Sequence, residues 1–124
     1  MRGPKILNSC QLAERGPVAI AFFATRSTRC ERQVDVLEQV RRRFPGVGVA
    51  AVSVRGDRGD VRRLVREHGW RMPVGYDHDG AVSNAYAVAV CPTITFARRG
   101  GKVASTSFSL LGERALAARM EALR

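Results

Sequence analysis

The sequence predicts an α/β sandwich on a central mixed sheet, with a parallel part and an antiparallel edge. Three observations carry this. Short apolar runs alternate with stretches whose apolar residues recur at helical spacing. One of those runs, Val47–Val54, is apolar nearly throughout, as a strand covered on both faces should be. Towards the end, Thr93–Ala97 and Val103–Phe108 read as a hairpin closed around Gly100-Gly101, residues suited to positive φ.

The elements follow in order. Residues 1–16 form an irregular N-terminal segment of a single domain spanning 1–124. Val18–Ala24 is the first strand, followed by a helix from Thr28 to Phe44. Val34, Leu37, Val40 and Phe44 form its apolar stripe, and Pro45-Gly46 stops it. After the second strand, Asp57 and Asp60 are both candidate N-caps for a helix carrying Val61, Leu64 and Val65 and ending near Gly69. Met72–Tyr76 is a short strand, followed by the turn Asp77-His78-Asp79-Gly80 and a brief helix through Tyr86. After the hairpin, the last helix spans Gly112–Leu123 with Leu116, Met120 and Leu123 apolar. Ile20, Phe22, Val49, Ala51, Ile94 and Phe96 are the expected sheet core.

With 124 residues the chain can bury one core without staples. Nothing approaches the roughly 20 continuous apolar residues of a membrane-spanning helix. Met1-Arg2-Gly3-Pro4-Lys5 is not followed by the apolar stretch of a signal peptide. The net charge of +10 is mainly arginine, which raises nucleic acid, an anionic surface or an acidic partner as binding classes. The arginines are scattered over several elements and have no interleaved aromatic residues, so the sequence argues against nucleic acid.

The chemistry concentrates in Ala24-Thr25-Arg26-Ser27-Thr28-Arg29-Cys30. A buried strand that breaks into a polar turn and then a helix puts Cys30 in that helix's first turn. Unpaired N–H groups and the positive end of the helix dipole favour thiolate there. Arg26 and Arg29 add to this if they face the sulfur. Thr28-Arg29-Cys30-Glu31 has the form of a capping box, which accounts for Thr28 and Glu31 as helix-start chemistry. Ser27 is either a cap or a hydrogen-bond donor to the thiolate.

Strand, polar turn, cysteine at a helix start, a second βα unit and then Val90-Cys91-Pro92-Thr93 opening a hairpin resemble the thioredoxin fold. The nearest likeness is to the TlpA/ResA-like thiol–disulfide oxidoreductases. The matching stretches are Phe22-Phe23-Ala24-Thr25, Met72-Pro73-Val74 with Tyr76-Asp77, and Asp79-Gly80 before Ala85-Tyr86-Ala87-Val88. Pro92-Thr93 before the Gly100-Gly101 turn completes the set. The resemblance covers roughly residues 12–124. It implies a cis-proline at Pro92 facing the active turn and a substrate groove formed by Pro92, Arg26, Thr28 and Arg29. It further implies protein thiols or disulfides as substrates, a membrane-bound or soluble redox partner, and no metal or other cofactor. The location it implies is outside the cytoplasm, by a signal or anchor not visible in this chain, with a cytoplasmic location left open.

The departures from that family are specific. Its active site is Cys-x-x-Cys, whereas here Ser27 stands at the first position and only Cys30 remains. A serine hydroxyl cannot replace the thiolate that attacks sulfur, so the usual two-cysteine cycle is expected to be impaired. Arg26 replaces the usual aromatic residue, and Ala21 falls where thioredoxin proper has a buried acid. Ser27 is either natural or a substitution that removes the nucleophile. Cys10, Cys30 and Cys91 make an odd count. Cys91, beside Pro92, is either a redox thiol able to pair with Cys30, the partner of Cys10, or a small buried apolar residue.

Two other function classes fit the same residues. One is a catalytically silent thioredoxin-like module that holds extended polypeptide. The other is a peroxiredoxin-like peroxidase using Cys30, since Ser27-Thr28-Arg29-Cys30 matches the second half of the Pro-x-x-x-Thr/Ser-x-x-Cys pattern. Phe23 stands at that pattern's proline position. Asp77-His78-Asp79-Gly80 opens like a calcium loop without the later ligands and reads as a turn. His68, near a helix C-terminus, reads as structural.

Overall fold

The computed structural model describes residues 16–25, 27–55, 58–76 and 91–123. Five strands form one sheet in the order β3-β2-β1-β4-β5. They are β1 (Val18–Ala24), β2 (Gly48–Arg55), β3 (Val74–Tyr76), β4 (Thr93–Ala97) and β5 (Val103–Ser107). The helices are α1 (Thr28–Val40), α2 (Arg58–His68) and α3 (Glu113–Glu121). β1, β2 and β3 run parallel, while β4 is antiparallel to both β1 and β5. The irregular segment 1–15, the turn 77–80, the brief helix through Tyr86, Asp57, Cys10 and Arg26 lie outside the described residues.

Strand alternation sorts the core into two faces. Ala19, Ala21 and Phe23 pack with Val34 and Leu37 of α1, Val61 and Leu64 of α2, and Leu116 and Met120 of α3. Val18, Ile20 and Phe22 form a second cluster with Val52 and Ala97. All six residues expected in the sheet core are buried. β1 is buried along nearly its whole length, which is why its sequence shows no polar alternation.

Several boundaries differ from the sequence expectation, each for a local reason. α1 ends at Val40, and Arg41–Arg43 tighten into a 3-10 turn. Phe44 donates its N–H to the Arg41 carbonyl at 3.0 Å, so the chain reverses while the Phe44 ring stays buried. Asp60 lies inside the first turn of α2 and is not its N-cap. β3 begins at Val74 because Pro73 has no N–H and the N–H groups of Arg71 and Met72 are taken by the Glu38 carboxylate. β5 ends at Ser107, whose hydroxyl bonds the backbone of Ser109, and Phe108 is left 56% exposed. Gly112 is the N-cap of α3.

Two glycine sites behave as the sequence implies. Gly69 takes φ +70° and ends α2 by donating to the Val65 carbonyl. Gly100 and Gly101 both have φ of 91° in the β4–β5 turn, closed by Arg98 N–H to the Lys102 carbonyl at 2.8 Å.

Strand register places the chemistry. Phe22 of β1 pairs with Thr93 of β4. The residues that follow β1 and those that precede β4 therefore meet at one end of the sheet, where α1 starts.

Candidate active site: a disulfide between helix and loop

Cys30 is the third residue of α1 and Cys91 lies two residues before β4. Their sulfurs are joined, with Cα atoms 5.7 Å apart across 61 residues of sequence. That separation lies inside the usual range of about 4.4–6.8 Å for a disulfide. Of the three states open to Cys91 in the sequence, the structure shows the pair with Cys30. The Cys91–Pro92 peptide bond is cis, and Pro92 is buried.

The two cysteines are not equivalent. Cys30 is 2% exposed and belongs to the main core cluster, whereas Cys91 is half-buried at its edge. Ser27 Oγ lies 3.0 Å from Cys30 Sγ as donor. Ser27 occupies the N-cap with extended backbone, yet its side chain makes no capping hydrogen bond. Its carbonyl accepts the first helical bond, from Glu31 N–H at 3.0 Å. The hydroxyl serves the sulfur instead, which resolves the two readings of Ser27 in favour of the sulfur contact.

The capping box expected at Thr28–Glu31 is corrected accordingly. Thr28 is the first helical residue and is exposed. Glu31 faces His68 Nε2 at 3.4 Å. With Ser27 at the N-cap position, the residue three positions later is Cys30, not an acid, so no capping box can form. Thr28 and Arg29 are both exposed on the first turn beside the disulfide.

A set of polar contacts missed in the sequence holds α1 in place. Asp35 accepts from Trp70 Nε1 at 2.7 Å and contacts His68 Nδ1 at 2.9 Å. His68 stacks on Trp70, and Trp70 meets Phe23 of β1 edge-on. One helical turn on, the buried Glu38 carboxylate accepts from the N–H groups of Arg71 at 2.6 Å and Met72 at 2.9 Å, and from Arg41 Nε at 2.8 Å. Burial alone would raise its pKa, but the hydrogen bonds from Met72, Arg41 and Arg71 outweigh that and hold it below the ordinary value of 4.5. The one available signal was the acidic spacing Glu31, Asp35, Glu38, which puts three carboxylates on one side of α1.

Comparison with known proteins adds to this geometry. A family model described as the AhpC/TSA family matches residues 5–106. The thiol-disulfide oxidoreductase ResA of Bacillus thuringiensis subsp. konkukian is 25% identical over 88 residues, covering 69% of this chain and 51% of that protein. ResA of Oceanobacillus iheyensis is 26% identical over the same length, covering 69% and 46%. The chain thus spans about half the length of the curated relatives it matches. Among solved structures, a secreted Mycobacterium tuberculosis disulfide oxidoreductase homologous to Escherichia coli DsbE superposes with a TM-score of 0.83 at 22% identity. The match covers 94% of this chain and 88% of that one. The fold is thioredoxin-like.

Proposed function

This chain belongs to the AhpC/TSA family, and on that premise we propose that it is a thiol–disulfide oxidoreductase whose redox couple is Cys30–Cys91. The single observation that carries the reading is the disulfide itself, formed where the family resemblance places the active turn. Ser27 removes the Cys-x-x-Cys partner, but a second sulfur is still within bonding reach from the opposite loop. The expected impairment therefore applies to the Cys-x-x-Cys cycle, and two-electron exchange proceeds through the helix–loop pair Cys30–Cys91. Oxidising a substrate dithiol reduces Cys30–Cys91 to two thiols; reducing a substrate disulfide runs the same exchange backwards.

Protein thiols or disulfides are the proposed substrates, by likeness to ResA, with Pro92, Thr28 and Arg29 beside the sulfurs as contacts and Arg26 as a further contact proposed from sequence. The M. tuberculosis neighbour is described as secreted. By that likeness the proposed location is outside the cytoplasm, where disulfides persist. Among the described residues no helix is long and apolar enough to cross a membrane.

The test is exchange with a two-cysteine peptide, followed in wild type and in Cys30→Ser and Cys91→Ser. Turnover should fall at least about a hundredfold in either variant, since a lone thiol cannot complete a two-thiol cycle. Turnover that persists in Cys91→Ser would refute the couple. The contact of Ser27 with Cys30 favours a second reading, a Cys30-dependent peroxidase. Peroxide consumption that survives Cys91→Ser but not Cys30→Ser would establish it.

A further inference from the structure

The two cysteines are unequally buried, Cys30 inside the core cluster and Cys91 at its edge, and access bears on the order of the exchange. We propose, resting on the couple just described, that an incoming thiolate attacks Cys91, the cysteine of the loop before β4, and that Cys30 on the helix is the leaving sulfur. The mixed disulfide then forms at Cys91, so the strand-side cysteine is the substrate-facing catalytic residue.

Three observations converge. Cys91 keeps exposed surface, while Cys30 is 2% exposed within the core cluster of Phe23 and Val34. An attacking thiolate must reach the sulfur it bonds to, so access selects Cys91. Second, the sulfur that leaves must carry negative charge, and Cys30 has a dedicated donor in Ser27 Oγ at 3.0 Å. Third, Cys30 sits in the first turn of the 13-residue α1, where free N–H groups and the helix dipole favour an anion. Burial disfavours a charged sulfur; the hydroxyl and the helix start offset that cost at Cys30.

The step balances as follows. Substrate thiolate bonds to Cys91 Sγ while the Cys91–Cys30 bond breaks, and its electron pair goes to Cys30 as thiolate. The substrate's second thiolate then bonds to the substrate sulfur of the mixed disulfide, the bond from that sulfur to Cys91 breaks, and Cys91 leaves as thiolate. Substrate is oxidised to a disulfide and the protein is reduced by two electrons. This also gives Ser27 a purpose: the hydroxyl at the position of the usual nucleophile serves as donor to the departing sulfur.

The experiment uses oxidised protein carrying Cys10→Ser and reduced glutathione as the probe, quenched with N-ethylmaleimide and mapped by mass spectrometry. Glutathione should sit on Cys91 in at least tenfold excess over Cys30, with maleimide on Cys30. Glutathione mainly on Cys30 overturns the order but leaves the couple intact. Oxidised protein in which Cys30 and Cys91 are both free overturns the couple and the order together. As a second readout, Ser27→Ala should slow release of Cys30 by about fivefold, the loss of one hydrogen bond to the departing sulfur. It should also move the pH midpoint of Cys30 alkylation in the reduced protein upward. An unchanged rate and midpoint would remove Ser27 from the step.

Discussion

Gln33 holds Leu111 by both ends of its amide: Nε2 donates to the Leu111 carbonyl at 3.0 Å and Oε1 accepts the Leu111 N–H at 2.6 Å. The two residues are 78 positions apart, and Gln33 is buried one turn past Cys30. The contact fixes the loop between β5 and α3 against the helix that carries the reactive sulfur.

Replacing Gln33 with Leu keeps the volume but strands both backbone groups of Leu111. The expected loss is about 1–3 kcal/mol, the cost of leaving the part-buried N–H and carbonyl of Leu111 unsatisfied. Urea unfolding of Gln33→Leu checks it, and a midpoint equal to wild type would show that the clamp adds nothing.

Glu38 should impose a pH dependence on stability. Its folded pKa lies below the ordinary 4.5, so its contribution is full above 4.5 and is lost as pH falls through the lowered value. Glu38→Gln removes the charged acceptor and should cost about 1.5–3 kcal/mol at pH 7. The gap between variant and wild type should narrow steadily below pH 4.5 in denaturant titrations. A gap of constant size down to pH 2 would contradict the assignment.

Ser27→Cys restores a vicinal thiol to Cys30. Insulin-type disulfide reduction should rise above wild type, because a pair on one helix turn needs no motion of the opposite loop. If the variant stays inactive with several reductants while wild type binds unfolded polypeptide, the silent binding module is the better description.

Leu37 is fully buried between α1 and the sheet. Leu37→Ala should destabilise by about 2–5 kcal/mol through lost burial and an unfilled cavity. A smaller loss in thermal or urea unfolding would mean that the helix settles into the gap.

Local patterns were legible in the sequence, and contacts between distant residues were not. The apolar runs located β1, β2 and β4 to within a residue, because burial on both faces leaves a run that composition alone reveals. The turn before Cys30 was found as a break between an apolar run and a helical pattern, and the loop of Cys91 through the family resemblance of Val90-Cys91-Pro92-Thr93. The choice among pairings was not legible, since it depends on β1 and β4 aligning Phe22 with Thr93. Glu38 with Met72 and Gln33 with Leu111 were also hidden: a buried polar residue on a helix shows no partner until the chain folds back. At Thr28–Glu31 the local pattern misled, because Ser27 and not Thr28 takes the N-cap position and the Glu31 carboxylate faces His68.

The bond between Cys30 and Cys91 closes a loop of 61 residues, unlike a Cys-x-x-Cys pair, which encloses almost none. Chain-entropy arguments give such a cross-link about 4 kcal/mol of stabilisation through the unfolded ensemble. Around a thermodynamic cycle, folding must favour disulfide formation by the same amount. The folded scaffold thus acts as a high local concentration of one thiol for the other, and each round of electron transfer is also a round of tightening and loosening. A simple melting curve should then tell oxidised from reduced protein.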